Sequence, residues 1–177
     1  MAASSFLLLA VVFAFTGGNG PWVMIATIVL AAAAGTRLPD LDTPLRLRHR
    51  SALTHGILPL AVALLDHRTW PVAAGLGFGI GVHLAADLFP GTMRGYATIK
   101  LPLWGAIGVV PSYLWIAINA AANLVGGIVV LERIATQRVV AGALAATGVL
   151  GAAYLLRAQG GWPALAMLAL LGWLMTR

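Results

Sequence analysis

The sequence predicts an all-α protein: a polytopic membrane bundle of six or seven spans, forming one integral membrane domain over residues 1–177. Three observations predict it. Hydrophobic residues make up 60% of the chain and charged residues 9%, against about 25% charged in soluble domains. The charges fall in short segments between long apolar runs. Several of those runs approach the roughly 20 residues a helix needs to cross about 30 Å of hydrocarbon. The lipid bilayer is therefore the first partner that the composition names.

The first run, Ser4 to Phe15, and the second, Pro21 to Ala34, are separated by Thr16-Gly17-Gly18-Asn19-Gly20, which reads as a turn. The first has no Lys or Arg ahead of it and a poor cleavage site at Ala14-Phe15-Thr16-Gly17, so a retained span is expected rather than a signal peptide. A third run covers Ser51 to Leu65 and a fourth Trp70 to Phe89. After a Pro-interrupted apolar approach at residues 101–110, expected at the interface or re-entering the bilayer, Pro111 to Leu131 forms the fifth. Val139 to Leu156 and Trp162 to Met175 complete the set.

If the seven runs alternate, Arg37, Arg46, Arg48, Arg50, Arg94, Lys100 and Arg157 share one side, opposite Arg68, Arg133, Arg138 and Arg177. This bias places segments 36–50 and 90–103 in the cytoplasm and the chain in the cell (inner) membrane. The net charge of +6 is scattered rather than gathered on one face, so no nucleic-acid partner is expected. With no cysteine, disulfides, zinc–thiolate clusters and thiol nucleophiles are excluded. Any metal must be held by carboxylate, imidazole or backbone oxygen.

The polar residues that remain gather on one side. Asp40 and Asp42 follow the second run in Leu38-Pro39-Asp40-Leu41-Asp42, His49 lies in the loop beyond them, and His55 opens the third run. His83 and Asp87 are four residues apart near the end of the fourth, so a helix projects both from one face. Ionisable groups facing a membrane interior are costly unless partnered, and a cluster drawn from consecutive spans marks a functional site. Oxygen and imidazole ligands suit zinc, manganese or iron. Asp66 and His67, on the opposite side beside Arg68 and Trp70, read as interfacial residues.

Leu38-Pro39-Asp40-Leu41-Asp42, His49-Arg50, Thr54-His55 and Gly81, His83 and Asp87 ahead of Phe89-Pro90, in that order, resemble the YdjM-like family of membrane-bound metal-dependent hydrolases. The likeness lies within residues 35–104, including Arg94-Gly95-Tyr96-Ala97-Thr98-Ile99 with Leu101-Pro102. Two departures stand out: members commonly carry a further N-terminal His, absent from the first 48 residues here, and often read H-R-G-x-T-H-S, where this chain is one residue longer between Arg50 and Thr54 and has Gly56 last. The resemblance implies a distant relationship to zinc phospholipase C and related helical phosphoesterases.

The expected function is a metal-dependent hydrolase of the phosphoesterase type, acting with a metal-activated water on a small-molecule or lipid-linked phosphoester. The expected cofactor is a divalent metal, zinc first, with manganese or iron as alternatives. Asp42, His55, His83 and Asp87 are the expected ligands, with Asp40 a further ligand or the base that orients water. His49 is the candidate for proton transfer. Arg50 offers a planar fork of donors to a phosphate, or else anchors the cytoplasmic side. The competing readings are a small transporter or proton- or cation-conducting protein, and a catalytically idle protein that keeps a metal for folding.

Other features have simpler accounts. Gly75 with Gly79 and Gly77 with Gly81 form two small-xxx-small surfaces for close helix packing rather than a dinucleotide loop. Asn119 and Asn123 share one helix face and are placed to bond across helices, and Trp104, Trp115, Trp162 and Trp173 read as packing or interface anchors.

Overall fold

The computed structural model describes residues 2–18, 20–42, 47 and 49–175. Arg46, Arg48 and Arg177, three of the residues that set the expected sidedness, lie outside them. The described residues form seven α-helices: α1 (Ala2–Thr16), α2 (Pro21–Gly35), α3 (Leu58–Ala63), α4 (Trp70–Asp87), α5 (Val109–Ile134), α6 (Gln137–Leu155) and α7 (Gly161–Met175). Between α4 and α5 a two-stranded hairpin, β1 (Lys100–Leu101) and β2 (Gly105–Ala106), pairs Lys100 with Ala106 and Leu101 with Gly105. The Pro-interrupted approach is thus a tight hairpin rather than a re-entrant helix.

Three helical segments, His67–Asp87, Val109–Ile134 and Gln137–Leu155, are long and apolar enough to cross a membrane. α1, α2 and α7 have 15 residues each, a rise of about 22 Å. The third apolar run departs from expectation, because only six of its residues, Leu58–Ala63, are helical. Its first part folds into turns: the Thr54 hydroxyl donates to the Ser51 carbonyl, and His55 N–H bonds the same oxygen. Side-chain bonds of this kind offer the backbone an alternative to helix, and Pro59 restarts the helix where its missing N–H costs nothing.

Asp66 caps the 3-10 turn His67–Thr69 by accepting the Arg68 N–H at 2.9 Å. The Arg68 guanidinium lies over the Phe15 ring, and His67 packs on Trp70. Asp66 is thus a cap and His67 part of an aromatic contact.

Helix α4 is the axis of the fold, buried on all sides between α2 and α5. Its alternate glycines divide the work: a Cβ on Gly75 or Gly79 would run into the α2 backbone, and one on Gly77 would come within 2.6 Å of the Asn123 carbonyl in α5. Gly81 meets Leu124 of α5. Because i and i+4 share a helix face, four glycines at alternate positions open two faces to close packing. Ile28, Ala31 and Ala32 of α2 and Leu131 of α5 complete a core sealed from the surface.

Gly79→Ala is expected to lower thermal stability in detergent by about 1–3 kcal/mol, since the added methyl overpacks the α2–α4 contact. Gly148→Ala, where a methyl meets nothing within 4 Å, is expected to leave stability unchanged or raise it by up to about 1 kcal/mol through helix propensity. Equal melting curves for the two variants would contradict the close-packing role.

Candidate metal centre

The C-terminal ends of α2, α4 and α6 meet at one end of the bundle. There the last turns of α4 present His83 and Asp87 from one face, as their spacing requires. His55 arrives from the turn-rich segment ahead of α3. Three side chains of α5 hold that segment: Trp115 Nε1 donates to the His55 carbonyl at 2.8 Å, Asn119 accepts the Ile57 N–H at 3.0 Å, and Asn123 donates to the Gly56 carbonyl at 3.3 Å. Irregular backbone deep in an apolar bundle is tolerable only when its polar groups are satisfied, and α5 supplies the partners. Asn119 and Asn123 do bond across elements, to backbone.

The outcome is a group of three ligand atoms within 4.8 Å of one another, from His55, His83 and Asp87, that could hold a metal ion. Asp87 Oδ2 lies 3.5 Å from His55 Nε2 and 3.6 Å from His83 Nε2, and is buried without a hydrogen-bond partner. Hydrogen bonds on the far side of each ring fix what those nitrogens present. His83 Nδ1 is 2.9 Å from the Thr36 carbonyl, which can only accept, and 2.9 Å from the Tyr154 hydroxyl. Nδ1 therefore carries the proton and Nε2 the lone pair. His55 Nδ1 is 3.1 Å from the Thr54 hydroxyl, whose own hydrogen goes to the Ser51 carbonyl, so the same assignment follows. In the neutral rings, two imidazole lone pairs and one carboxylate oxygen face each other. This is an arrangement a cation completes, and outer hydrogen bonds of this type orient metal-binding histidines generally.

The other Asp87 oxygen is spoken for. Oδ1 accepts from Arg50 Nη2 at 2.7 Å, while Arg50 Nη1 donates to the Ala97 carbonyl at 2.8 Å. Arg50 sits in the left-handed region, φ 55°, held there by its N–H bond to the buried carboxylate of Asp42 and by the pairing of its carbonyl with the Lys100 N–H. The hairpin thus sutures the Arg50 segment in place.

Each expected site residue can now be placed. His55, His83 and Asp87 converge. Asp40 is mostly exposed and brings Oδ1 to 3.9 Å from His83 Nε2, at the open side of the group. Asp42, expected as a ligand, instead accepts the Arg50 N–H and lies 3.6 Å from His49 Nδ1, outside the three-residue group. His49 accordingly stands beside Asp42, not beside the centre. Arg50, expected to clamp a phosphate, directs its fork at Asp87 and Ala97, because a carboxylate with one oxygen buried needs a charged partner. Thr36 and Tyr154 escaped the sequence reading as contributors; Thr54 entered it only within the Thr54-His55 motif and Trp115 only as a packing or interface anchor. Comparison of the chain with family models, curated proteins and solved structures gives no match.

Arg50→Ala is expected to cost about 3–5 kcal/mol by stranding the Asp87 carboxylate, measured by denaturation in detergent. Arg94→Ala, at an exposed position, is expected to stay within about 0.5 kcal/mol.

Proposed function

We propose that this chain is an integral membrane metal-dependent hydrolase that cleaves phosphoesters at the His55–His83–Asp87 centre. One observation carries the reading: a buried carboxylate oxygen without a partner, faced by two imidazole nitrogens whose protons are held elsewhere. Two histidines and one carboxylate leave coordination positions open, as catalytic sites do and closed structural sites do not. Zinc is the metal this donor set suits first, with manganese or iron as alternatives. A divalent cation here would lower the pKa of a water towards neutrality and polarise a phosphoryl oxygen.

The chain's own residues do the rest. His83 and Asp87 provide a rigid two-ligand edge, Arg50 holds Asp87 so that Oδ2 alone faces the site, and Asp40, at the open side, orients the attacking water and takes its proton. The water oxygen forms a bond to phosphorus as the ester P–O bond breaks, and the proton passes to the leaving alkoxide, giving an alcohol and a phosphate. Asp42 and His49 act through Arg50 by fixing its backbone.

The membrane reading has a finer form. α1, α2 and α7 are short crossings, and residues 51–69 make a largely unwound pass between α2 and α4, giving seven in all. The excess of basic residues around the centre puts it towards the cytoplasmic face of the cell membrane.

Purified protein is expected to hold about one divalent metal per chain by elemental analysis, as a single three-ligand site requires. His83→Ala and Asp87→Ala are expected to lose the metal together with phosphate release from monoester substrates. Full metal content in both variants would refute the centre, whereas bound metal without any hydrolysis would reduce it to a structural element.

A further inference from the structure

We propose that the substrate's ester group is a long hydrocarbon chain, and that this chain lies in an apolar trough on the flank of α1 with its phosphate at the metal centre; this rests on the hydrolase reading above. Two clefts of about 330 and 430 Å³ adjoin one another, because Leu7, Val11 and Leu38 line both. The first extends to Leu41 and the second to Val62 and Leu76. Their joint lining is aliphatic over nearly its whole length.

The first cleft ends at Leu41, the neighbour of Asp40. Leu41 belongs to the same short 3-10 stretch, Pro39–Asp42, as Asp40, whose carboxylate is 3.9 Å from His83 Nε2, and Leu38 immediately precedes it. A single turn therefore turns its apolar side chains into the trough and its acid towards the ligands. From Asp87 back to Leu76, which lines the second cleft, α4 rises about 16 Å, the length of a long alkyl group. Its open side passes Leu58 and Val62, which are 47% and 56% exposed. An amphiphile in the leaflet enters sideways, chain first held by the trough and headgroup delivered to the only buried acceptor cluster at that end among the described residues. Water-soluble phosphoesters of equal headgroup chemistry would use the centre without the trough.

Two measurements test this on full-length protein in nanodiscs. Val62→Trp, which fills the trough, is expected to raise KM for hexadecyl phosphate at least about tenfold while leaving butyl phosphate turnover and metal content unchanged; Leu7→Trp serves if the first variant does not fold. Independently of turnover, a hexadecylphosphonate bearing a chain diazirine is expected to label the segments 7–11 and 58–62, whereas the matching alcohol without the phosphonate labels the lipid-facing surface broadly. Equal effects of Val62→Trp on both esters, or identical label patterns for phosphonate and alcohol, would overturn the trough. Trough labelling in a protein that hydrolyses neither ester would overturn the hydrolase reading and leave a lipid-phosphate binding site.

Discussion

A single carboxylate sets the terms for this end of the molecule. Asp87 is half-buried at the end of an apolar helix, where an unpartnered charge is costly, and its two oxygens are treated differently. Oδ1 receives the Arg50 guanidinium at 2.7 Å, and Oδ2 faces two imidazole nitrogens with no hydrogen bond. Keeping Arg50 in place requires a left-handed backbone in a non-glycine residue, φ 55°, a conformation that persists only when its surroundings over-determine it. Asp42, Ala97 and the Lys100 pairing supply that constraint from three separate parts of the chain.

The packing of α4 and the chemistry at its end are one problem. Gly79 allows the α2 backbone so close that an added Cβ would stand 2.8 Å from the Thr36 nitrogen. The Thr36 carbonyl is the group that takes the His83 Nδ1 proton. Small residues along α4 thereby decide which nitrogen of His83 is left bare, a connection from helix–helix distance to tautomer that no inspection of the site alone would reveal. Tyr154 reaches the same Nδ1 from α6, so three helices agree on the orientation of one ring.

Much of this was legible in the sequence and some was not, for identifiable reasons. The His83/Asp87 edge followed from a four-residue spacing in an apolar helix, and the two glycine faces from their alternation, because both depend on helical periodicity alone. His55 joined them as expected from the clustering of ionisable residues at run ends. Periodicity misled at Ser51–Leu65, where apolar composition suggested one continuous helix but Thr54, Gly56 and Pro59 favour turns. It had nothing to say about Asp42 and Arg50: whether an acid near a ligand set binds the ion or a neighbouring N–H depends on the local path of residues 36–57, which has no repeat. Thr36 contributes through its carbonyl, a group every residue carries, so its identity held no signal.

The unwound stretch is what brings the third ligand into line. Had residues 51–57 continued as regular helix, their N–H and C=O groups would have been consumed internally, and Asn119, Asn123 and Trp115 would have been left as buried polar groups without work. Instead those three side chains, spaced four apart on α5, bind the carbonyls of His55 and Gly56 and the N–H of Ile57. The height of His55 is thus referred to α5. Gly77 and Gly81 in turn bring α5 against α4, the helix that carries the other two ligands. All three ligand atoms are therefore positioned relative to one glycine-lined helix, which allows a site assembled from distant segments to hold its separations of 3.5 and 3.6 Å without a covalent cross-link anywhere in the chain.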